Sequence, residues 1–211
     1  MNIGRPKLCW SLEEAERNAS RARALFLRHV DLDLHAARIA RLKRLERLRI
    51  CWCCGTRLPP EIAALTQLRE LEILNTPLEE FAVWLCGCSR LQRLVWRGTE
   101  IQEIPPCIRL FSRLRYLDFG CHDLFEVPAA LGELKNLEHL SLGDTMISAI
   151  PDAILRLPKL KSLGLAGTNF SVDDAAKLRA KFPNANISPA VAVRLPRRVM
   201  VNKKAILPNS L

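Results

Sequence analysis

The sequence lacks the features that would place it in a membrane or mark it as an enzyme. No stretch approaches the ~18 uncharged apolar residues that a membrane-spanning helix needs, so we expect no transmembrane segment. The basic residues near the start are not followed by the apolar region of a secretory signal, which favours a cytoplasmic protein. The sequence also lacks a phosphate-binding glycine loop, a two-histidine metal motif and a nucleophile elbow. We therefore expect no catalytic activity and no cofactor.

Basic residues are in excess, but not along the whole chain. The formal net charge is +10. Residues 51–150 nevertheless carry 13 Asp and Glu against 9 Lys and Arg, so the middle is mildly acidic and the excess lies in the two ends. Nucleic-acid-binding domains usually carry a continuous basic face. This distribution argues against a nucleic-acid partner, although attachment to nucleic acid or to an acidic membrane through the basic ends stays an alternative.

A repeat of constant length runs through most of the sequence. The pattern L-x-x-L-x-L occurs six times at intervals of 23 residues, and a degenerate seventh copy begins at Ala22. The six copies begin at Leu45, Leu68, Leu91, Leu114, Leu137 and Leu160. A period held over seven units indicates a repeat solenoid, because chance alternation of apolar residues would drift.

Each unit reads as a strand followed by a short helical segment. The apolar residues of L-x-x-L-x-L alternate with polar ones, as in a strand buried on one face. In four units a proline then opens a segment with apolar residues three apart, which predicts a short α- or 3-10 helical turn. These prolines are Pro59, Pro105, Pro128 and Pro151. Stacked units would form an α/β solenoid with a parallel sheet on one side and the turns on the other.

This pattern resembles the 23-residue L-x-x-L-x-L-x-x-T-x-I-x-x-I-P-x-x-I-x-x-L class of bacterial and plant leucine-rich-repeat proteins. The resemblance covers roughly residues 22–170 and implies a horseshoe with a parallel β-sheet on its concave side. The family usually has Asn at the ninth position, where this sequence mostly has Thr, whose hydroxyl can replace part of the hydrogen bonding. The ninth-position residues are Val30, Cys53, Thr76, Thr99, His122, Thr145 and Thr168.

The ends of the chain read as caps, because an open solenoid needs its terminal units covered. We expect an N-terminal capping helix within residues 1–21, which follows Ser11 and has an apolar face that continues to Ala22. The repeat array occupies 22–170, and a C-terminal capping helix that follows Ser171, with a short strand, occupies 171–189. Residues 190–211 carry five basic and no acidic residues and read as a tail.

The concave face is the predicted partner-binding surface. Strand positions 3, 5 and 7 point out of the sheet, with position 8 beside them. Large and charged residues, including the Arg, Trp and Tyr that dominate binding hot spots, fill these positions in the first five units. The predicted site is Arg47, Arg49, Trp52, Glu70, Glu72, Leu74, Arg93, Arg97, Tyr116 and Asp118. The alternative is that opposite charges on neighbouring strands pair with one another and form a solvated ladder without a ligand.

The convex side and the cysteines offer weaker candidates. Trp84, Cys86, Cys107 and Leu110 fall at outward positions of adjacent units, and either mark a contact surface or fold over their neighbours. The eight cysteines show no pairs at equal repeat positions, and only Cys86 with Cys107, diagonal on the convex side, could form a disulfide. Cys51 and Cys54 have C-x₂-C spacing, but no second such pair completes a zinc site, so we expect reduced thiols packed as small hydrophobes. The sequence Cys121-His122-Asp123 resembles a catalytic nucleophile with its base, but His122 falls at the inward ninth position.

These observations predict a non-enzymatic protein–protein recognition module whose partner is a protein of unknown identity. The resemblance leaves a bacterial effector, exported without a conventional signal, or a ubiquitin-ligase-type substrate-recognition protein as alternatives. Ligase effectors of this type carry a separate catalytic domain, for which we expect no room in the roughly 22 residues after the C-terminal cap.

Overall fold

The computed structural model describes residues 7–120, 123–182 and 186–187, which build one parallel sheet in which every strand pairs with its neighbours in sequence. From β3 to β8, paired residues differ by 23, as in Arg47, Glu70 and Arg93. The strands are β1 (Lys7–Cys9), β2 (Ala22–Arg28), β3 (Arg47–Cys51), β4 (Glu70–Leu74), β5 (Arg93–Arg97), β6 (Tyr116–Asp118), β7 (His139–Ser141), β8 (Ser162–Gly164) and β9 (Asn186–Ile187). The predicted α/β solenoid and its register are confirmed.

Short helical turns form the opposite, convex side. The 3-10 turns are Pro60–Ala64, Val83–Gly87, Pro106–Leu110 and Ala129–Glu133, and the α-helices are α1 (Leu12–Arg17), α2 (Leu32–Ala40), α3 (Asp152–Leu155) and α4 (Val172–Lys181). Pro59, Pro105, Pro128 and Pro151 each stand immediately before such a turn. The fixed φ of proline suits this position, where a backbone N–H would lack an acceptor in any case.

The first units differ from the prediction. The first α-helix ends at Arg17 and not at residue 21 or beyond, because Ala22 already begins β2. Strand β1, which the repeat pattern does not contain, pairs with β2. Helix α2 replaces the expected short turn, since the Asp31 carboxylate accepts hydrogen bonds from two backbone N–H groups at 3.0 and 3.1 Å and caps it.

The apolar columns of the repeats form a continuous core between the sheet and the turns, and threonines stabilise its strand-exit side. Thr76, Thr99, Thr145 and Thr168 are all buried. The Thr76 hydroxyl accepts a hydrogen bond from the backbone N–H of Cys53 in the preceding unit at 3.3 Å. The hydroxyl of Thr145 donates to the Leu142 carbonyl at 2.7 Å. Threonine thus takes over hydrogen bonding expected of asparagine, whereas His122 lies outside the described residues.

At the C-terminal end, the Ser171 hydroxyl accepts a hydrogen bond from the Asp174 backbone N–H at 3.0 Å and caps α4, as the sequence predicts. Leu178 of this helix is buried. The predicted tail, residues 190–211, lies outside the described residues. None of the helices in the described part of the chain is both long and apolar enough to cross a lipid bilayer.

Candidate functional site

A continuous row of side chains crosses the concave face from β2 to β6. The Arg49 guanidinium lies 5.1 Å from the centre of the Phe26 ring and forms a salt bridge with Glu72. The other carboxylate oxygen of Glu72 accepts a hydrogen bond from Arg93 Nε at 3.0 Å. The Arg93 guanidinium in turn lies 3.8 Å from the centre of the Tyr116 ring. Each charge therefore holds its neighbour in place, which pre-organises the row.

Opposite charges within the row pair with one another, which agrees with the alternative prediction of a charge ladder without a ligand. The Glu72 side chain is only 14% exposed, so its two arginine partners compensate a largely buried carboxylate. The side chains of Arg49 and Arg93 stay partly open to solvent, at 42% and 35% exposed. A planar guanidinium that is already positioned loses little freedom when it binds a carboxylate or an aromatic ring. Internal pairing and ligand binding are therefore compatible.

Arg97 and Asp118 form a second cluster beside this row. Arg97 lies between the carboxylates of Asp118, at 3.4 Å, and Asp144, at 3.5 Å. Gly120 gives it room, because a Cβ there would come within 3.1 Å of Arg97 Nε. The Asp118 side chain is 7% exposed, so this predicted site residue lies at the base of the surface. Its Oδ1 is buried and accepts no hydrogen bond within the described residues.

The other predicted site residues differ in exposure and pairing. Arg47 is exposed and faces Glu70 in the register, yet no ion pair joins them within the described residues. Leu74 is half-buried on the concave face, in register with Cys51. The predicted ladder is therefore incomplete at the third repeat position, where the opposite charges of Arg47 and Glu70 stay available to a ligand.

Trp52 occupies a backbone conformation that tryptophan rarely adopts. The eighth position follows each strand, and its φ is positive in every described unit of the array: Trp52 has φ 55° and is 52% exposed. Other units place His29, Asn75, Gly98, Asp144 and Gly167 there. Gly, Asn and Asp tolerate this left-handed region, whereas a bulky side chain in it is strained. Such strain concentrates at functional sites.

Replacing Trp52 with asparagine is expected to raise the free energy of unfolding by about 1 kcal/mol, since left-handed backbone costs a residue other than Gly, Asn or Asp roughly 1–2 kcal/mol. Urea unfolding followed by circular dichroism measures the change. Trp52→Ala is the control, because it removes the indole but keeps the unfavourable φ. A Trp52→Asn variant less stable than Trp52→Ala would contradict the strain argument.

Several neighbours of the row are not among the residues predicted from the sequence. Trp10 is 68% exposed and packs edge-to-face on Phe26, with ring centres 4.8 Å apart, at the N-terminal end of the row. At the other end, the Tyr116 and His139 ring centres are 6.0 Å apart, and His139 Nδ1 lies 2.7 Å from the Ser162 hydroxyl. His139 and Ser162 could have been found from their place in the third-position column. Trp10 could not, because the repeat pattern does not predict β1.

The convex candidates are mostly part of the core. Cys86 is buried, which corrects its predicted outward position, and Trp84 is partly buried against the core, as one of the two alternatives expects. Burial, together with a hydrogen bond to Cys107, raises the pKa of the Cys86 thiol. Leu110 alone of this predicted group is exposed.

The remaining cysteines divide between core and surface. Cys53 and Cys88 are buried, as small hydrophobes would be, whereas Cys54 is exposed, contrary to the prediction. No group of three His, Cys, Asp or Glu side chains in the described residues could hold a metal ion. Cys121 and His122 of the nucleophile-like sequence lie outside the described residues.

This chain is similar to many solved structures, among them those of one Leptospira and two Listeria proteins. A leucine-rich-repeat protein of Leptospira interrogans has a TM-score of 0.61 and 23% identity, over 72% of this chain and 45% of that one. The internalin inlF of Listeria monocytogenes gives 0.59 and 16%, over 88% and 68%, and internalin C2 of that species gives 0.66 and 22%, over 88% and 76%. These likenesses confirm the leucine-rich-repeat horseshoe fold. This chain spans less than half the length of the Leptospira protein, and no family model or curated protein matches its sequence.

Proposed function

We propose that the chain is a non-enzymatic recognition module that binds a protein partner on its concave face. The partner would contact the row of Arg49, Arg93 and Tyr116, with Trp52 at the strand-exit side. Arg, Trp and Tyr are the residues that most often carry binding energy at protein interfaces. The pre-organised guanidinium groups would lose little conformational freedom on binding. The assignment to the 23-residue class and the cytoplasmic location stay predictions.

The exposure of Trp52 is the observation that carries the proposal. Its indole is half exposed, and its backbone lies in a region that favours Gly, Asn or Asp. The positive φ and the exposed half of the indole are unfavourable for folding, whereas contact with a partner would favour tryptophan at this position.

The test compares capture of partners by the wild-type chain and by variants with matched charge changes. Trp52→Asn and the double variant Arg49→Glu/Arg93→Glu are each expected to raise the dissociation constant of a true partner about 30-fold or more. This is the effect of losing a hot spot worth ~2 kcal/mol. Pull-down with quantitative mass spectrometry identifies the partner, and titration calorimetry then measures its dissociation constant.

Arg69→Glu/Arg115→Glu is the matched control, because it changes the same charges on side chains that are 50% and 67% exposed at the strand-entry edge of the sheet. Trp52→Asn separates binding from folding, since we expect it to stabilise the chain. If both concave variants captured the same proteins as the wild-type chain, the concave face would be excluded as the binding site.

A further inference from the structure

A second open surface lies along the edge of the solenoid where the strands end. The loops after β4, β5, β6 and β7 enclose a groove of about 1110 Å³. The concave row does not line it: Trp52, Arg49 and Arg93 are all absent from its walls in the described part of the chain. The groove is therefore a separate surface, which meets the concave face only where Asp144 at its rim pairs with Arg97 in the described structure.

The groove has a strongly acidic rim. Its carboxylates come from four consecutive units: Glu79, Glu80, Glu100, Glu103, Asp123 and Asp144. No Lys, Arg or His lines it within the described residues. Within the described residues, Glu80 pairs with Arg57 at 2.8 Å and Asp144 with Arg97 at 3.5 Å. Like charges along one cleft reinforce one another and attract a cationic ligand.

The same groove has apolar walls that water touches. Val83 is 59% exposed, Phe125 60% and Met146 41%. The half-buried Pro105 continues the apolar surface between the acids. Exposed apolar side chains grouped in a concave surface mark binding sites more often than isolated ones do. The acids of this group do not converge on a point that could hold a metal ion, within the described residues.

We propose that this groove binds an extended protein segment that is rich in lysine or arginine and carries apolar side chains. The acidic rim complements the charge, and the apolar walls receive both the aliphatic stems of the basic residues and the apolar side chains between them. The Phe125 ring, 60% exposed, offers a further site for a guanidinium or ammonium group. The concave face and the groove would then recognise separate features of a partner.

The test uses three synthetic 12-residue peptides in fluorescence anisotropy titrations. The first alternates Lys or Arg with Leu, the second replaces its basic residues with Gln, and the third replaces Leu with Ser. Only the first is expected to bind well, and more weakly as salt screens the charges. Glu79→Gln/Glu103→Gln/Asp123→Asn should weaken this binding at least tenfold, and Phe125→Ser should also weaken it. Removing like charges leaves the thermal stability of the triple variant equal or higher.

Glu61→Gln/Glu133→Gln/Asp152→Asn is the matched control, because it removes the same charge from exposed acids that do not line the groove. It should retain wild-type affinity for the first peptide. Trp52→Asn should retain it too, because Trp52 lies outside the groove, and this result distinguishes peptide binding in the groove from partner binding on the concave face. If the control triple variant lost as much peptide affinity as the groove variant, the binding would be general charge attraction and the proposal would be wrong. Binding seen only after deletion of residues 190–211 would also overturn it, because the chain's own basic residues would then be the occupant.

Discussion

Replacing Trp96 with alanine is expected to lower the free energy of unfolding by about 3–5 kcal/mol, the usual loss for a large buried aromatic. Trp96 lies in β5, the central strand of the described sheet, and is fully buried. Its ring stacks on Phe81 with centres 4.9 Å apart, and the Phe119 ring lies parallel at 6.2 Å. The three rings fill the core of three consecutive units, so the truncation opens a cavity that short turns cannot fill.

Urea unfolding monitored by circular dichroism measures this loss, and the other tryptophans supply the comparison. Trp10→Ala removes the same side chain from a site that is 68% exposed, where we expect a change of about 1 kcal/mol or less. Trp96→Phe keeps an aromatic ring in the stack, as Phe119 does in the next unit, and should recover most of the lost stability. Equal losses in Trp96→Ala and Trp10→Ala would show that the ring stack does not stabilise the solenoid.

The constant period explains why most of the fold could be predicted. A spacing of 23 residues places equal positions side by side, so Arg47, Glu70 and Arg93 could be assigned to one column before any contact was known. The N-terminal part of the chain adds elements that the repeat does not contain, and there the prediction missed β1 and α2. Helix α2 depends on the Asp31 cap and on buried Leu32, Ala36 and Ile39, a helical spacing that the search for repeats did not examine.

The candidate site was predictable as a surface but not as a set of contacts. The register places Arg93 opposite Glu70, yet its guanidinium bonds the diagonal Glu72 and stacks on Tyr116. A long side chain reaches a diagonal neighbour as easily as a direct one, so spacing alone could not decide between them. The acidic groove was still harder to see, since its residues are spread from Glu79 to Met146 and meet only through the paths of four loops.

Gly132 is expected to be the least replaceable glycine on the convex side, with a loss of about 3 kcal/mol on substitution by alanine, the upper end of the usual cost of overpacking. A Cβ at this position would lie 2.5 Å from the Cβ of Ala153 in α3 and 2.7 Å from its carbonyl carbon. Backbone atoms cannot rotate away as a side chain can, so α3 would have to move away from the Ala129–Glu133 turn.

Gly87→Ala is the matched control for this substitution. Gly87 also lies in a 3-10 turn, but no atom beyond its chain neighbours and its own turn lies within 4 Å of its Cβ position in the described structure. There alanine restricts the unfolded chain and should raise the free energy of unfolding by up to about 1 kcal/mol. Urea titrations of both variants should therefore give midpoints that move in opposite directions.

Ala153→Gly in the Gly132→Ala background tests the cause of the loss. It removes the contact at 2.5 Å but leaves the carbonyl carbon at 2.7 Å and the carbonyl oxygen at 2.8 Å, so recovery should be partial. Complete recovery of the free energy of unfolding would show that the Ala153 side chain causes the whole clash. Equal stability of Gly132→Ala and Gly87→Ala would show that there is no clash. The convex turns help to set the spacing between stacked units. Gly132→Ala should therefore also disturb the Tyr116–His139 end of the concave row and lower the affinity for a partner bound there.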